Sequence, residues 1–411
     1  MNPTNRTTRV ILMRHGRSTF NQQQRYQGSS DASELTEQGC ETACQVGQWL
    51  QDLEIDAIYV SPLRRAKQTL EQIQPYLDHR IPVYVRPQLR EIELPDWEGL
   101  PYEQVKTEFT ELYQTWKQQP HKFKMGHRYA SEYELEKHYG NTAVLAAPAP
   151  TATQTECFPV LDLYLRAEQF WQDVLPHRPG QTILVISHGG TNHALISTAL
   201  GLSPAHHHSL QQSNCGISIL NVAADLQTAQ LEVLNLTTPL GETLPKLKEG
   251  KQGLRLLLVP SDTNATDAAK LAEFLKSVPI EFSLASDLDH PTVDRLLVHH
   301  PRAVNLQVCR EQFLQDWLGT LRWKPITISD LTTGLVVAPP ASLQLLLAEA
   351  TGLPLNQHRW FQLQPGCLSV LHYPSDNQRP VVQAINLSTA GAAGLAAATQ
   401  TSVTLGGRVN G

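Results

Sequence analysis

The chain has 411 residues, more than one hydrophobic core usually sustains, so two domains are expected. Its 41% apolar and 18% charged residues argue against a disordered chain, and a formal net charge of -6 without a long basic run argues against a nucleic-acid partner. No stretch approaches the ~18 consecutive apolar residues of a membrane span, and MNPTNRTTRV lacks a signal-peptide core, so a cytoplasmic protein without a membrane partner is expected. The six cysteines show neither a CxxC pair nor zinc spacing, which fits reduced packing thiols.

The first element is the apolar run Val10-Ile11-Leu12-Met13, which suits a strand buried on both faces of a parallel sheet. It ends in Arg14-His15-Gly16. Open parallel sheets bind ligands beyond the carboxyl ends of their strands, so Arg14 and His15 are expected in a crevice. Gly16 allows close backbone approach, and Ser18 and Asn21 add hydrogen-bonding groups. In LTEQGCETACQVGQWLQDL, Leu35, Cys40, Ala43, Val46, Leu50 and Leu53 keep helical spacing, although Thr36 followed by Gly39 is no capping box. IDAIYVSPLRRAKQTLEQI then reads as strand, turn and helix, with Pro62 near the helix start. QLREIELPDWEGL reads as a short strand or loop.

Residues 122–158 form a polar, Ala/Pro-rich insertion of the kind used as lids, in which APAPTATQ is expected to be flexible. Within it Lys122, Lys124, His127 and Arg128 are candidates to face a second anionic group. QTILVISHGGTNHALISTALG repeats the opening design, with a strand over 183–186, then His188-Gly189-Gly190, then a helix ending near Gly201. Alternating strands and helices imply an α/β fold with helices on both faces of a parallel sheet. His206, His207 and His208 are expected to be a solvated run rather than a metal site, because consecutive side chains diverge. A linker spans 237–253 before LRLLLVPSDTN begins a second series, and STAGAAGLAAATQTSVTLGGRVNG reads as a fraying tail.

Arg14 and Arg64 offer fixed forks of donors to phosphate oxygens, and His15 and His188 complete a phosphoryl pocket. A neutral histidine nitrogen attacks phosphorus to give a phosphohistidine, and the leaving alkoxide then needs a proton. Glu91, Glu93 and Glu98 are competing donors that spacing alone does not separate. Charge stabilisation by Arg14, Arg64 and His188 requires neither metal nor cofactor.

LMRHGRSTFN, SPLRRAKQT, LREI with DWEG, and VISHGG, in that order, resemble the histidine phosphatase superfamily, the phosphoglycerate mutase-like group, over about residues 8–222. The resemblance implies His15 as nucleophile, Glu91 as proton donor, Arg14, Arg64 and His188 as the phosphate pocket, and Asn21 as a further phosphate contact. Gly189, beside His188, joins the expected substrate-binding set. Departures are Arg17 where many members have Glu, Phe20 where many have Trp, and Pro95 where Gly is common. Mutases of this family hold the substrate's second anionic end with a lysine and a paired Arg-Arg after the acid motif. GLPYEQVKTEFTELYQTWKQQPHKF offers no such pair, which favours a phosphatase.

An internal repeat is visible. TILVISHGGTNHALISTALGLSPAHHHSLQQSNCGISIL lies without a gap over TGLVVAPPASLQLLLAEATGLPLNQHRWFQLQPGCLSVL, setting His188 over Pro339, Gly201 over Gly352, Asn214 over Pro365 and Ser218 over Ser369. VILMRHG faces LLLVPSD, placing Pro260 and Ser261 at Arg14 and His15, and AIYVSPLRRA faces FSLASDLDHP, placing Asp289 at Arg64. The expected organisation is a catalytic domain over 1–236, a degenerate copy over 254–390 that props, caps or regulates it, and a flexible tail over 391–411. An active copy followed by an inert one resembles the plant and cyanobacterial 2-carboxy-D-arabinitol-1-phosphatase-like members of the family. That implies a metal-independent phosphomonoesterase acting on a small sugar phosphate or bisphosphate. The alternatives are a cofactor-dependent phosphoglycerate mutase and a non-catalytic sugar-phosphate-binding regulator. The expected partners are a small phosphorylated metabolite and, as a homodimer, a second copy of the chain.

Overall fold

Val10–Met13 lies in β1 (Thr8–Arg14), an inner strand of a 12-stranded sheet in a computed structural model that describes residues 7–126, 156–248, 250–286, 289–308, 330–374 and 379–388. The alternation of a strand sends Val10 and Leu12 to one face and Ile11 and Met13 to the other, and all four are fully buried. Helices cover both faces. On the Ile11 face lie α1 (Glu37–Leu50) and α2 (Arg64–Ile73), contributing Ala43, Val46, Leu50 and Ile73. On the Val10 face lie α3 (Pro159–Val174) and α4 (Gly189–Leu200), contributing Leu163, Phe170, Trp171 and Leu195. Thr36 caps α1 alone, its side chain accepting from the Gly39 amide.

The first half adds β2 (Ala57–Val60), β3 (Val83–Val85), β4 (Thr182–Ser187), β5 (Ile217–Val222) and β6 (Ala229–Leu236). β1 and β4 are parallel neighbours in the order β5-β1-β4-β2-β3, while β5 and β6 run antiparallel. The purely parallel sheet expected from sequence is therefore extended by two antiparallel strands in each half.

The second half contains β7 (Gly253–Pro260), α5 (Ala265–Leu275), β8 (Phe282–Ala285), β9 (Val304–Gln307), β10 (Leu331–Ala338), α6 (Pro340–Thr351), β11 (Leu368–Tyr373) and β12 (Val381–Leu387). Its strand order, β12-β11-β7-β10-β8-β9, reproduces β6-β5-β1-β4-β2-β3. The repeat holds residue by residue. Val10 pairs Ile183 and Ala57 pairs Ile183 in the first half; their counterparts Leu256 and Phe282 both pair Gly334 in the second. Pro260 and Pro339 thus occupy the strand ends that carry Arg14 and His188 in the first half.

The halves join edge to edge through β6 and β12, which run antiparallel with Leu234 opposite Ile385. The joint has approximate two-fold symmetry. Asn235 Nδ2 donates to Gln383 O at 2.8 Å, and Asn386 Nδ2 returns the contact to Glu232 O at 2.7 Å. Each asparagine Oδ1 also accepts a backbone amide of its own half, Ser213 N at 2.7 Å and Gln364 N at 3.0 Å. Both asparagines sit in the left-handed region, at φ 52 and 56, where Asn is among the few tolerated side chains. Replacing Asn386 by Ala removes these bonds and strains the backbone, so a loss of roughly 2–4 kcal/mol is expected in chemical denaturation. Asn386→Gly, which tolerates the φ, should lose less than Asn386→Ala; equal losses would mean the backbone conformation costs nothing.

Candidate active site

β1 and β4 end in register, Arg14 opposite Ser187, so the residues that follow emerge side by side. His15 N donates to Ser187 O at 2.9 Å, and the His15 and His188 rings lie 5.1 Å apart, tilted by 59°. Both rings are buried. His15 Nδ1 lies 2.7 Å from Gly16 O, a carbonyl that can only accept; the proton therefore sits on Nδ1 and Nε2 keeps its lone pair. Burial holds His15 well below the usual histidine pKa, and the charges of Arg65, Arg14 and Lys248 add to this. His188, the residue before α4, is likewise held low by burial and then by Arg65, His15 and Arg14. His188 Nε2 lies 2.7 Å from Ser61 Oγ at the end of β2, and its Nδ1 is buried without a partner.

The second pocket arginine is Arg65, not Arg64. Arg64 leaves the first turn of α2 toward solvent, with its side chain 53% exposed and paired to Glu34 at 2.5 Å. Arg65 is fully buried, its Nη1 donating to Ser30 O at 2.7 Å and its Nη2 to Gly28 O at 2.9 Å, while Nε has no partner. Burial lowers its pKa to about 10, so it stays charged at neutral pH. The reason is helical geometry: Arg65, Thr69 and Ile73 follow the buried stripe, whereas Arg64 and Lys67 face water. Arg14 is partly buried; its Nη1 donates to Gln212 O at 2.9 Å and its Nε is unpartnered.

Among the carboxylates, Glu91 lies at the pocket. Its Oε1 accepts from Thr191 N at 3.1 Å and Ile92 N at 2.9 Å, and its Oε2 from Gly190 N at 3.1 Å, placing the charge at the positive end of α4. Its field reaches Arg14 and Arg65. Glu93 is exposed, and Glu98 is tied to Ser29 and Ser30 with its pKa raised by burial. A Cβ at Gly189 would rest 3.5 Å from Arg14 Nε, and one at Gly190 would come within 2.6 Å of Glu91 Oε1, so this turn packs glycine backbone against both groups. Asn21 caps its own short helix through Ser18 and accepts from Asn214 Nδ2 at 3.0 Å; the same Nδ2 donates to His15 O at 3.1 Å.

Sequence reasoning missed Arg65, Ser61, Asn214 and Thr69, whose Oγ1 accepts the Gly16 amide at 3.0 Å. The helical wheel of RRAKQT carried the signal for Arg65. Ser61, Thr69 and Asn214 act through long-range contacts that spacing does not encode. The histidine run is also corrected: His207 and His208 turn inward beneath Trp116, at ring distances of 5.9 and 4.5 Å, and among the described residues no group of three or more potential metal-ligating side chains is present. Lys124 pairs with exposed Glu156 at 2.7 Å and Lys122 is exposed, while His127, Arg128 and the APAPTATQ stretch lie outside the described residues. No described helix is long and apolar enough to cross a membrane.

Residues 10–137 and 131–236 match the family model of the histidine phosphatase superfamily (branch 1). The chain is 35% identical over 215 residues to a "probable 2-carboxy-D-arabinitol-1-phosphatase" of Arabidopsis thaliana, covering 52% of this chain and 38% of that protein. It is 35% identical over 220 residues to the 2-carboxy-D-arabinitol-1-phosphatase of Triticum aestivum, covering 53% and 38%. The chain thus spans well under half the length of either plant relative. Among solved structures, Bacillus stearothermophilus YhfR aligns at 27% identity and a TM-score of 0.41, covering 52% of this chain and 90% of that one.

Burial also lowers His207 to about 4 and holds His193 and His208 well below the usual value. As pH falls below about 6.5, the unfolded chain binds protons that these folded imidazoles refuse. Stability is therefore full above that pH and is lost downward toward 4, at about 1.4 kcal/mol per pH unit for each such histidine. Urea midpoints should fall between pH 7 and pH 5, and less steeply in His207→Phe; a flat profile would contradict the buried neutral rings.

Proposed function

The chain belongs to the histidine phosphatase superfamily, and on that premise we propose that it hydrolyses a small phosphomonoester through a phosphohistidine on His15. The observation that carries this reading is the pair of imidazoles 5.1 Å apart, flanked by two guanidinium groups whose Nε atoms lack protein partners. Three buried polar atoms without protein partners, Arg14 Nε, Arg65 Nε and His188 Nδ1, suit the oxygens of a tetrahedral anion.

His15 Nε2, neutral and holding its lone pair, forms a bond to phosphorus as the bond from phosphorus to the ester oxygen breaks. Arg14, Arg65 and His188 take up the charge on the phosphoryl oxygens, His188 through its unpartnered Nδ1, which carries the proton when Nε2 accepts from the Ser61 hydroxyl 2.7 Å away. Glu91, having taken the proton carried by the phosphomonoester monoanion, gives it to the departing alkoxide. Water then attacks phosphorus, Glu91 receives the water proton, the bond to His15 breaks and inorganic phosphate leaves. No step requires a metal.

The plant relatives named for 2-carboxy-D-arabinitol 1-phosphate support a sugar phosphate as the substrate class. The segment after the acid motif folds as Tyr102–Glu108 and Thr110–Gln118 and carries no paired arginines, which favours release to water over retention of a bisphosphate.

Hydrolysis of a panel of sugar monophosphates and bisphosphates should proceed in EDTA and vanish in His15→Asn. Arg65→Ala should lower kcat/KM by roughly 100-fold or more, as loss of a preorganised charge donor does, whereas Arg64→Ala should leave it within about threefold. Turnover that survives loss of His15 would defeat the mechanism, and equal effects of the two arginines would defeat the assignment of Arg65.

A further inference from the structure

The segment 209–215 of the first half reaches from the second half to the end of β1. At one end it lies along β12. Val382 N donates to Ser209 O at 2.8 Å, Gln211 N donates to Val382 O at 2.9 Å, and Gln383 Nε2 donates to Gln211 Oε1 at 3.1 Å. Gln211 and Gln383 are both buried, so their mutual hydrogen bond is not traded against water. At its other end the segment holds Arg14 and His15. Gln212 O accepts Arg14 Nη1 at 2.9 Å, Cys215 N donates to Arg14 O at 3.0 Å, and Asn214 Nδ2 donates to His15 O at 3.1 Å. The side chain and the backbone of Arg14 are thus fixed to a segment that is itself docked on the other half.

The linker adds a second hold on the same segment. Gln211 Nε2 donates to Lys246 O at 2.9 Å, and Lys248 Nζ donates to Gln212 O, the carbonyl that also receives Arg14. A carbonyl has two lone pairs and can accept both donors. Arg255 Nη2 on β7 donates to Pro245 O at 2.6 Å, which ties the linker to the second half. This docking is two-fold in form and one-sided in consequence. Gln362, the counterpart of Gln211, donates its N to Leu231 O of β6 at 3.1 Å, but the strand end in its own half carries Pro260, which has no guanidinium to position.

We propose that Gln383 and Lys248 are positioning residues for Arg14, acting through Gln211 and the Gln212 carbonyl, so that the second half sets the geometry of the anion pocket. The proposal rests on the reading of that pocket as a phosphate site. A guanidinium fixed in advance at Nη1 loses less freedom when an anion meets its unpartnered Nε.

The test is calorimetric and follows the binding of tungstate, a tetrahedral dianion, to the full chain. Gln383→Met and Lys248→Met should each weaken binding about fivefold, and should have less than about a twofold effect once Arg14 is Met, because residues acting through one group are not additive. Lys248→Arg should keep the wild-type affinity. Asn386→Gly, which loosens the joint away from this segment, should lower the urea midpoint and leave tungstate binding within about twofold. Unchanged affinity in both Met variants, an equal loss with and without Arg14, or a loss in Asn386→Gly as large as theirs would overturn the positioning role. Should Gln383→Met lack a cooperative urea transition, Lys248→Met on the exposed linker decides by the same criteria. Coupling to Arg14 in a chain whose wild type hydrolyses no phosphomonoester would overturn the phosphatase reading alone.

Discussion

Positive charge taken out of water without a matching set of counter-charges is the constraint around which this molecule is organised. Arg14 and Arg65 both feel the Glu91 carboxylate and both act on the two histidines, and each retains one unmet N–H. Burying a guanidinium is costly unless it is hydrogen-bonded and paired, so the scaffold supplies carbonyls instead: Gln212 for Arg14, Ser30 and Gly28 for Arg65. The same positive field, added to desolvation, holds both His15 and His188 well below the usual histidine pKa.

Much of this was legible in the sequence because two rules apply with little interference. An apolar run ending in polar residues at a glycine places those residues at the ligand-binding edge of a parallel sheet, and β1 and β4 both obey it. The repeat was legible for a related reason: apolar patterning survives when chemistry is lost, so Pro260 and Pro339 could be set against Arg14 and His188 without any coordinates. What escaped was orientation. Choosing between Arg64 and Arg65 needs the helix phase, set by the burial of Ala66, Leu70 and Ile73, rather than the motif. His207 and His208 were misread because the Pro204–His206 turn redirects the chain inward, a tertiary effect that consecutive spacing does not carry. Antiparallel β5 and β6 escaped because a strand's direction depends on the path of its connections.

The second half repeats the fold of the first with different residues at its strand ends. Its strands keep register with their counterparts, and its two apolar faces are continuous with those of the first half. Proline at the two strand ends cannot provide side-chain donors, and His290 stands at the position of Arg65. It also supplies surface that supports its neighbour: Arg255 holds Pro245 O, and Gln383 fixes the Gln211 that holds Lys246 O.

The exchanged asparagine contacts between β6 and β12 have the geometry of a symmetric dimer, yet both sides belong to one polypeptide. Tethering replaces a concentration-dependent encounter with a fixed local one. Dilution therefore should not part the two halves, and their one-to-one pairing is written into the covalent chain rather than left to assembly.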